Sequence, residues 1–581
     1  MKKVAIALLA FALVGGMAFA GGDSEGASGG TTLTNANDGE PVYGGTFTLS
    51  PRAGNKPGSP DPMDDNSGRT WYTSLIQETP MIGNFEQYGP RGSGDWDFKL
   101  IGAIPERFWK GLLVESWEVT PDRIVWNVRD GINWAPNQHT PWMSARALTA
   151  EDIASDLNYW RTTPNGNQWN RSAGDIYAQG DQVIIEFAEF NTALNLTLGG
   201  RRHSHVSAPE MLVDGRIKEW ENQVGTGPFI FESYVPDQVF TMVKNPDYWD
   251  TTLVNGKEYE FPFLDEFVVP IAADFSFETA AMRTGNSDGG PSIYGPSWAE
   301  LDRTAPDMIQ DRLAISFGAS WGFNLDREIW RNKQVRRALF MCTDVESYNG
   351  VTDPSGLMPP GSLPIHWMPI YPSLTNMYTP IDELPADVAE LYSNDPEKAK
   401  QILAEEGYAS GLELLSTGVG GGRDELLKDQ WERCGVTLNI TGLTGAALQD
   451  LVRSGEWDLT RHSYGAGNPV LDIPNNWGSN GSRRVERGPE ILDAELDAMI
   501  ADMVAETDPD AQAAIIKEMA VHIIGQAWFI PHGVKSISQA YWPWVGNYFG
   551  EFRWINDDTY LQPFGWTWVN QDIKDAMGYP K

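Results

Sequence analysis

Residues 224–249 read VGTGPFIFESYVPDQVFTMVKNPDYW. Phe229 to Tyr234 and Phe240 to Val243 are short runs rich in β-branched and aromatic side chains, bounded by Gly, Pro and Asn, which is the pattern of strands. Val235-Pro236-Asp237-Gln238 between them is turn chemistry, because proline presets its φ and aspartate tolerates tight turns. The stretch therefore predicts a hairpin. Outward from it, Ile124 to Val128, Val183 to Phe187, Phe267 to Ile271 and Val436 to Ile440 repeat the strand pattern. Helix starts alternate with them. Thr149 precedes Asp152 at the spacing of a capping hydroxyl and its acid, and Ile153, Leu157 and Trp160 then fall on one face. Asp395-Pro396 opens another helix, carrying Ala399, Ile402 and Leu403 and stopped by Gly407. Asp508-Pro509 opens a further one with Ile515, Ile516, Met519 and Ile523. No repeat of fixed period appears, so solenoids and propellers are disfavoured. The fold class is α/β, with large mixed sheets flanked by helices.

The chain has 581 residues, and single cores stop growing near about 250–300 residues, so two large lobes or several domains are expected. Lys2-Lys3, an apolar run from Val4 to Val14 and Ala18-Phe19-Ala20 form an export signal, with cleavage expected near Ala20. The apolar run is too short to span a bilayer. No cysteine lies near the cleavage point, so the reading is periplasmic and not lipid-anchored. Residues 21–40 are Gly, Ser, Thr, Asn and acid, a flexible leader. The formal charge of −36 argues against nucleic acid, whose backbone is bound by clustered Lys and Arg. Cys342 and Cys434 are the only cysteines. Export permits a bridge between them, but separation along the chain does not place them in bonding range, and the preferred reading is two separate buried thiols.

Signatures of catalysis are few. Gly318-Ala319-Ser320-Trp321-Gly322 fits a nucleophile elbow, which requires a strand before the serine and a helix after it. The residues that follow, Gly322 to Asp326, read as extended chain. Gly26-Ala27-Ser28-Gly29-Gly30 fits the same pattern but lies in the leader. His203 and His205 would share one face of a strand, without further zinc-ligand spacing around them. The Gly-rich run at 418–422 lacks the lysine and hydroxyl of a phosphate loop. With 79 acids, some carboxylate pair always falls within reach, so that signal decides nothing. No enzyme activity, metal or cofactor is expected.

Tryptophan is abundant, 24 residues, and Trp71, Trp298, Trp321, Trp367, Trp457 and Trp477 fall in segments that read as loops or strand ends. Most of the 24 should pack cores. The remainder would offer flat faces for sugar rings in a binding cleft.

Several landmarks occur in a set order. Gly111 to Asp122 (GLLVESWEVTPD) is followed by Trp126 to Trp134 (WNVRDGINW), the helix at Ala150, and the stretch quoted above. Phe323-Asn324, Val335-Arg336-Arg337-Ala338-Leu339, Thr343-Asp344, the Asp395 helix and Gly407-Tyr408 come next. In these the chain resembles the family 5 extracellular solute-binding proteins, the peptide, nickel and oligosaccharide receptors of ABC importers. The resemblance covers about residues 45–545. It implies a type II periplasmic-binding-protein clamp of the large cluster, with an extra subdomain. The first lobe would span 41–311, including an inserted subdomain about 75–200, and the second 312–535, with 536–581 returning to the first. A monomer would close on its ligand by hinge bending and be read by a cognate ABC permease.

In the peptide-binding members, an Arg and an aromatic precede an Asp that pairs with the peptide amine. Arg461 and Tyr464 keep the first two here, but Gly467 stands at the third, with Asp472 a substitute only if the loop runs differently. A buried ammonium lacking a carboxylate is costly. That loss and the tryptophans favour an oligosaccharide ligand, with an oligopeptide as the alternative. No histidine cluster supports nickel. The candidate ligand-binding residues by resemblance are Trp71, Trp321, Trp367, Arg461, Tyr464, Asn468, Asn476 and Trp477.

Overall fold

In the computed structural model the predicted hairpin forms, with Phe229–Val235 antiparallel to Val239–Lys244 and Asp237 at φ 60° in the turn. The structure describes residues 35–579, apart from 52–56, 65–66, 100–103, 164–165, 167–168, 202, 273, 294–296, 316–319, 349–368, 371, 373, 419–421, 444, 463–467, 480, 482–491, 532–534 and 556–560. The sequence flanking the hairpin has a packing reason. A Cβ on Gly225 would lie 1.7 Å from the Ile76 carbonyl oxygen, and one on Gly227 would lie 2.6 Å from that of Leu75. Only glycine lets the two backbones approach, and there Gly227 N–H donates to Ile76 and Phe229 N–H to Leu75. At the other end, Tyr248 Oη donates to Glu78 Oε1 at 2.7 Å and Trp249 Nε1 to Oε2 at 3.2 Å. The Thr226 hydroxyl bonds the same carboxylate. Both ends of the motif thus close on one buried acid, and burial pushes Glu78 up to about 7 despite its three donors.

The hairpin belongs to a four-stranded sheet completed by Glu266–Pro270 and, in parallel, Thr46–Thr48. A second four-stranded sheet, Val114–Val119, Arg123–Val128, Gln182–Phe187 and Ala173–Gln179, is antiparallel throughout. The helix Ala150–Arg161 packs on it, started by a capping box of Thr149 and Asp152. This region has its own apolar core, drawing on residues 81–263 and on Trp554, Ile555, Trp566 and Trp568. It is therefore wider than the insertion at 75–200 expected from sequence.

Among the described residues, the five-stranded sheet Val436–Ile440, Leu412–Ser416, Leu459–His462, Ser320–Phe323, Phe529–Pro531 draws all its strands from 320–531. The strands that lead into and out of it, Ile309–Ile315 and Lys535–Tyr541, run side by side, antiparallel, with Gly289–Ile293 on the outer edge. Helices Pro396–Leu403 and Pro509–Gly525 start at Asp395 and Asp508, whose carboxylates cap them. The two ends of the chain meet at buried Asp288. It accepts from Thr48 N–H, Trp544 Nε1 and Lys574 Nζ, at 2.7, 2.8 and 2.8 Å.

The structure corrects several expectations. Residues 35–40 are not a flexible leader: Ala36 is buried, its N–H donates to Pro543, and Asn37 exchanges hydrogen bonds with the Tyr548 backbone. The rest of the leader and the signal segment lie outside the described residues. Ser320, by contrast, is followed by Trp321–Phe323 of the same strand, paired on both sides, in line with the extended reading of the residues after it, and no nucleophile elbow forms. His203 and His205 lie in irregular chain, not on a strand. Cys342 and Cys434 are bridged, Cα atoms 6.4 Å apart, rather than separate thiols. Helix Lys333–Met341 ends at Cys342 while helix Gly422–Glu432 leads to Cys434, and this tertiary neighbourhood is invisible in a spacing of 92 residues. Among the described residues no helix is long and apolar enough to cross a membrane.

Two outcomes follow. Glu78 holds its proton more tightly folded than unfolded, so stability should fall as pH rises from about 4.5 through about 7, by about 3 kcal/mol in all. Glu78→Gln, neutral throughout, should flatten that slope in melts recorded from about pH 5 to about pH 8, and parallel curves would contradict the assignment. Reduction with dithiothreitol should lower stability by about 2–5 kcal/mol, because the bridge closes a long loop. An unchanged melting temperature would count against the bridge.

Candidate functional site

Leu412–Ser416 runs parallel to both of its neighbours, Val436–Ile440 and Leu459–His462, so the carboxyl ends of these strands share one sheet edge. Helices Gly422–Glu432, Gly445–Ser454 and Pro469–Trp477 follow them in turn. In open α/β sheets ligands bind in the crevice outside strand carboxyl ends, and helix N-termini there add partial positive charge. The antiparallel strand Ser320–Phe323 brings its first residues to the same edge, Ser320 opposite His462 and Trp321 opposite Arg461.

Asp424, in the first turn of Gly422–Glu432, organises this edge. Its side chain is 1% exposed and pairs with Arg461 Nη1 at 4.0 Å, while Trp321 Nε1 donates to Oδ1 at 3.4 Å. A Cβ on Gly418 would come within 2.8 Å of the Asp424 carboxyl carbon, so glycine is what admits the carboxylate over the strand end. Thr417 and Thr460, bonded hydroxyl to hydroxyl at 2.6 Å, tie the two strands beneath it. The Arg461 side chain remains 34% exposed. Burial holds the Arg423 guanidinium below its ordinary value, and the Arg461 charge adds to this. Burial and the nearby Asp424 charge push the Tyr348 hydroxyl up, and its ring packs edge-on against Trp321. The edge thus presents the Arg461 guanidinium braced by a buried carboxylate, a group whose chemistry suits an anion. Among the described residues no group of His, Cys, Asp or Glu has metal-holding geometry.

Of the residues singled out from sequence, Trp321 and Arg461 meet at Asp424. Asn468 precedes the helix Pro469–Trp477, its backbone N–H donating to Asp472 Oδ2 at 2.8 Å. Asp472 is therefore engaged by the first turn of its own helix. Asn476 and Trp477 lie at the opposite end of that helix, Trp477 packing against Trp528 and Phe529. Trp71 lies in helix Ser67–Thr73, outside the five-stranded sheet. Trp367 and Tyr464 fall outside the described residues. The tryptophans do not offer free faces: Trp321 is 0%, Trp477 1% and Trp71 7% exposed, and Trp298 and Trp457 are buried too. Each ring removes a large apolar area from water in a core, which outweighs display in a cleft. Asp424 was missed, although Arg423-Asp424 directly follows the Gly-rich run set aside as a failed phosphate loop. Gly418, the first residue of that run, serves close approach of a side chain.

Known proteins resemble this chain in sequence and in fold. The profile of the bacterial extracellular solute-binding proteins, family 5 (middle), matches residues 109–483. Heme-binding protein A of Haemophilus influenzae is 25% identical over 465 residues, covering 72% of this chain and 78% of that protein. Di/tripeptide-binding protein 2 of Pseudomonas aeruginosa is 23% identical over 438 residues, covering 70% and 77%. Among solved structures, the periplasmic binding protein DppA of Helicobacter pylori, in complex with a peptide, superposes with a TM-score of 0.69 at 16% identity, over 91% of this chain and 98% of that one. The fold is the two-lobed, mixed α/β clamp of periplasmic binding proteins. The chain belongs to the family 5 bacterial extracellular solute-binding proteins.

Proposed function

We propose that the protein captures a short peptide, or a peptide-like solute with a free carboxylate, between its lobes and presents it to its permease. The lobes divide as the sequence suggests, at 41–311 with 536–581 and at 312–535, and the neighbouring strands Ile309–Ile315 and Lys535–Tyr541 act as the hinge. The chain works as an exported monomer, cleaved near Ala20.

The observation that carries this reading is Arg461, half-exposed at the carboxyl ends of the parallel strands and braced by buried Asp424. Charge-assisted bonds from such a group to a carboxylate are short and strong. Gly467, where an amine-binding Asp is missing, then means that the carboxylate end of the ligand is the anchored one. The relatives described above are named for peptides and for heme, and none for a sugar. The buried tryptophan faces remove the main argument for an oligosaccharide, so the peptide alternative is preferred.

Melting curves with di- and tripeptides, the same peptides amidated at the C-terminus, heme and oligosaccharides test this. Free peptides at about 100 times their Kd should stabilise by about 2.7 kcal/mol, and amidated ones should not. Arg461→Ala should weaken peptide binding by about 10- to 100-fold, as loss of a hydrogen bond to a charged group does. Stabilisation by sugars or heme alone would overturn the proposal.

A further inference from the structure

Between the lobes there is a contact that involves neither crossover strand. Thr192 belongs to the region built on the antiparallel sheet, just before helix Leu194–Gly199. Its backbone N–H donates to the Val504 carbonyl at 3.4 Å, and its hydroxyl accepts from Gln512 Nε2 at 3.0 Å. Val504 and Gln512 lie on helices Ala494–Ala505 and Pro509–Gly525, which pack with Pro469–Trp477 beside the five-stranded sheet. The separation of 320 residues in sequence excludes a local turn as the cause.

Each partner is also held by bonds on its own side. Asn191 Oδ1 accepts from Ala193 N–H at 2.9 Å, and Asn191 Nδ2 donates to Ser172 Oγ at 3.2 Å, which fixes the loop that carries Thr192. On the other side, the Gln512 amide also reaches the Met503 carbonyl at 2.9 Å and the Glu506 carbonyl at 3.1 Å. It therefore closes the turn between the two helices and projects towards Thr192 in one motion. Next to Thr192 the chain changes cores. Ala193 is buried in the large core, and Leu194 and Leu198 in the small one. The contact is thus a small preformed seam, with an apolar side chain behind two hydrogen bonds.

We infer that Thr192, Val504 and Gln512 form a latch that holds the lobes closed in addition to whatever the ligand contributes. A ligand that closes a two-state clamp works against the free energy of closure. A latch lowers that requirement and slows ligand escape. Being made of neutral groups, it is weak enough to release, since one hydrogen bond of this kind shifts the closed-to-open ratio by about fivefold.

Small-angle scattering of the full chain without ligand tests this, with circular dichroism and thermal melts as controls for folding. Thr192→Val keeps the shape and loses only the hydroxyl, and Gln512→Ala removes the amide. Both should increase the radius of gyration relative to wild type, and the double variant should not exceed the larger single effect, because both delete one bond. Gln512→Ala also frays its own helical turn, so Thr192→Val is the decisive variant. If Thr192→Val folds and scatters as wild type does, the latch does not exist. If it opens the chain, the latch stands whatever solute is bound, so this test is separate from that of the ligand.

Discussion

Ile309–Ile315 and Lys535–Tyr541 pair antiparallel from Ile309 opposite Tyr541 to Ile315 opposite Lys535, and the chain between them builds an entire sheet with its helices. Two neighbouring strands thereby carry the chain from one half into the other and back. Close-packed interiors resist continuous deformation, so relative motion concentrates where few groups must rearrange, as in hinge closure. This attachment suits the clamp fold, although the large apolar core runs through both halves and only the region of the antiparallel sheet has a core of its own. The bound chemistry then follows from which side-chain groups the halves bring to the gap.

On the half carried by the crossover strands, the carboxyl ends of three parallel strands meet three helix starts, and a buried carboxylate is placed among them. An isolated buried charge is unfavourable. Asp424 has a guanidinium and an indole N–H as partners, and Gly418 supplies the room. The result fixes the direction of Arg461 without covering it. A solute-binding protein needs no more chemistry than this, since its cargo leaves unchanged. On the other half, two buried acids do a different task. Glu78 collects the two ends of the hairpin motif, and Asp288 joins the first strand of the chain to its last helix. Removing Lys574 would leave Asp288 as an uncompensated buried charge, whereas removing a donor of Glu78 would leave a buried carboxyl oxygen unsatisfied.

Local pattern was a dependable guide wherever a segment's environment repeats along the chain. The six strands read from β-branched and aromatic runs appear within a residue or so of their expected ends. So do the starts capped by Thr149, Asp395 and Asp508, whose hydrogen bonds close within a few residues. The ordered landmarks carried the family, because each one is a short segment with a backbone requirement, as Gly225 and Gly227 illustrate. The place of a tryptophan is harder to read, for the opposite reason. A large ring at a strand end looks the same in sequence whether it faces a gap or another core, and Trp321 and Trp477 face cores.

The amino-acid sequence by itself determined the class of fold, the hairpin and helix starts and the family, because these rest on periodicity, capping and short motifs that are satisfied within a few residues. Only the tertiary structure decided that Cys342 meets Cys434, that Asp424 braces Arg461, that Thr192 meets Gln512 and that residues 35–40 are packed. Each of these joins positions far apart in the chain. Such contacts are made by the packing of whole sheets and helices, and the energy that selects them is shared over a core that no single segment contains.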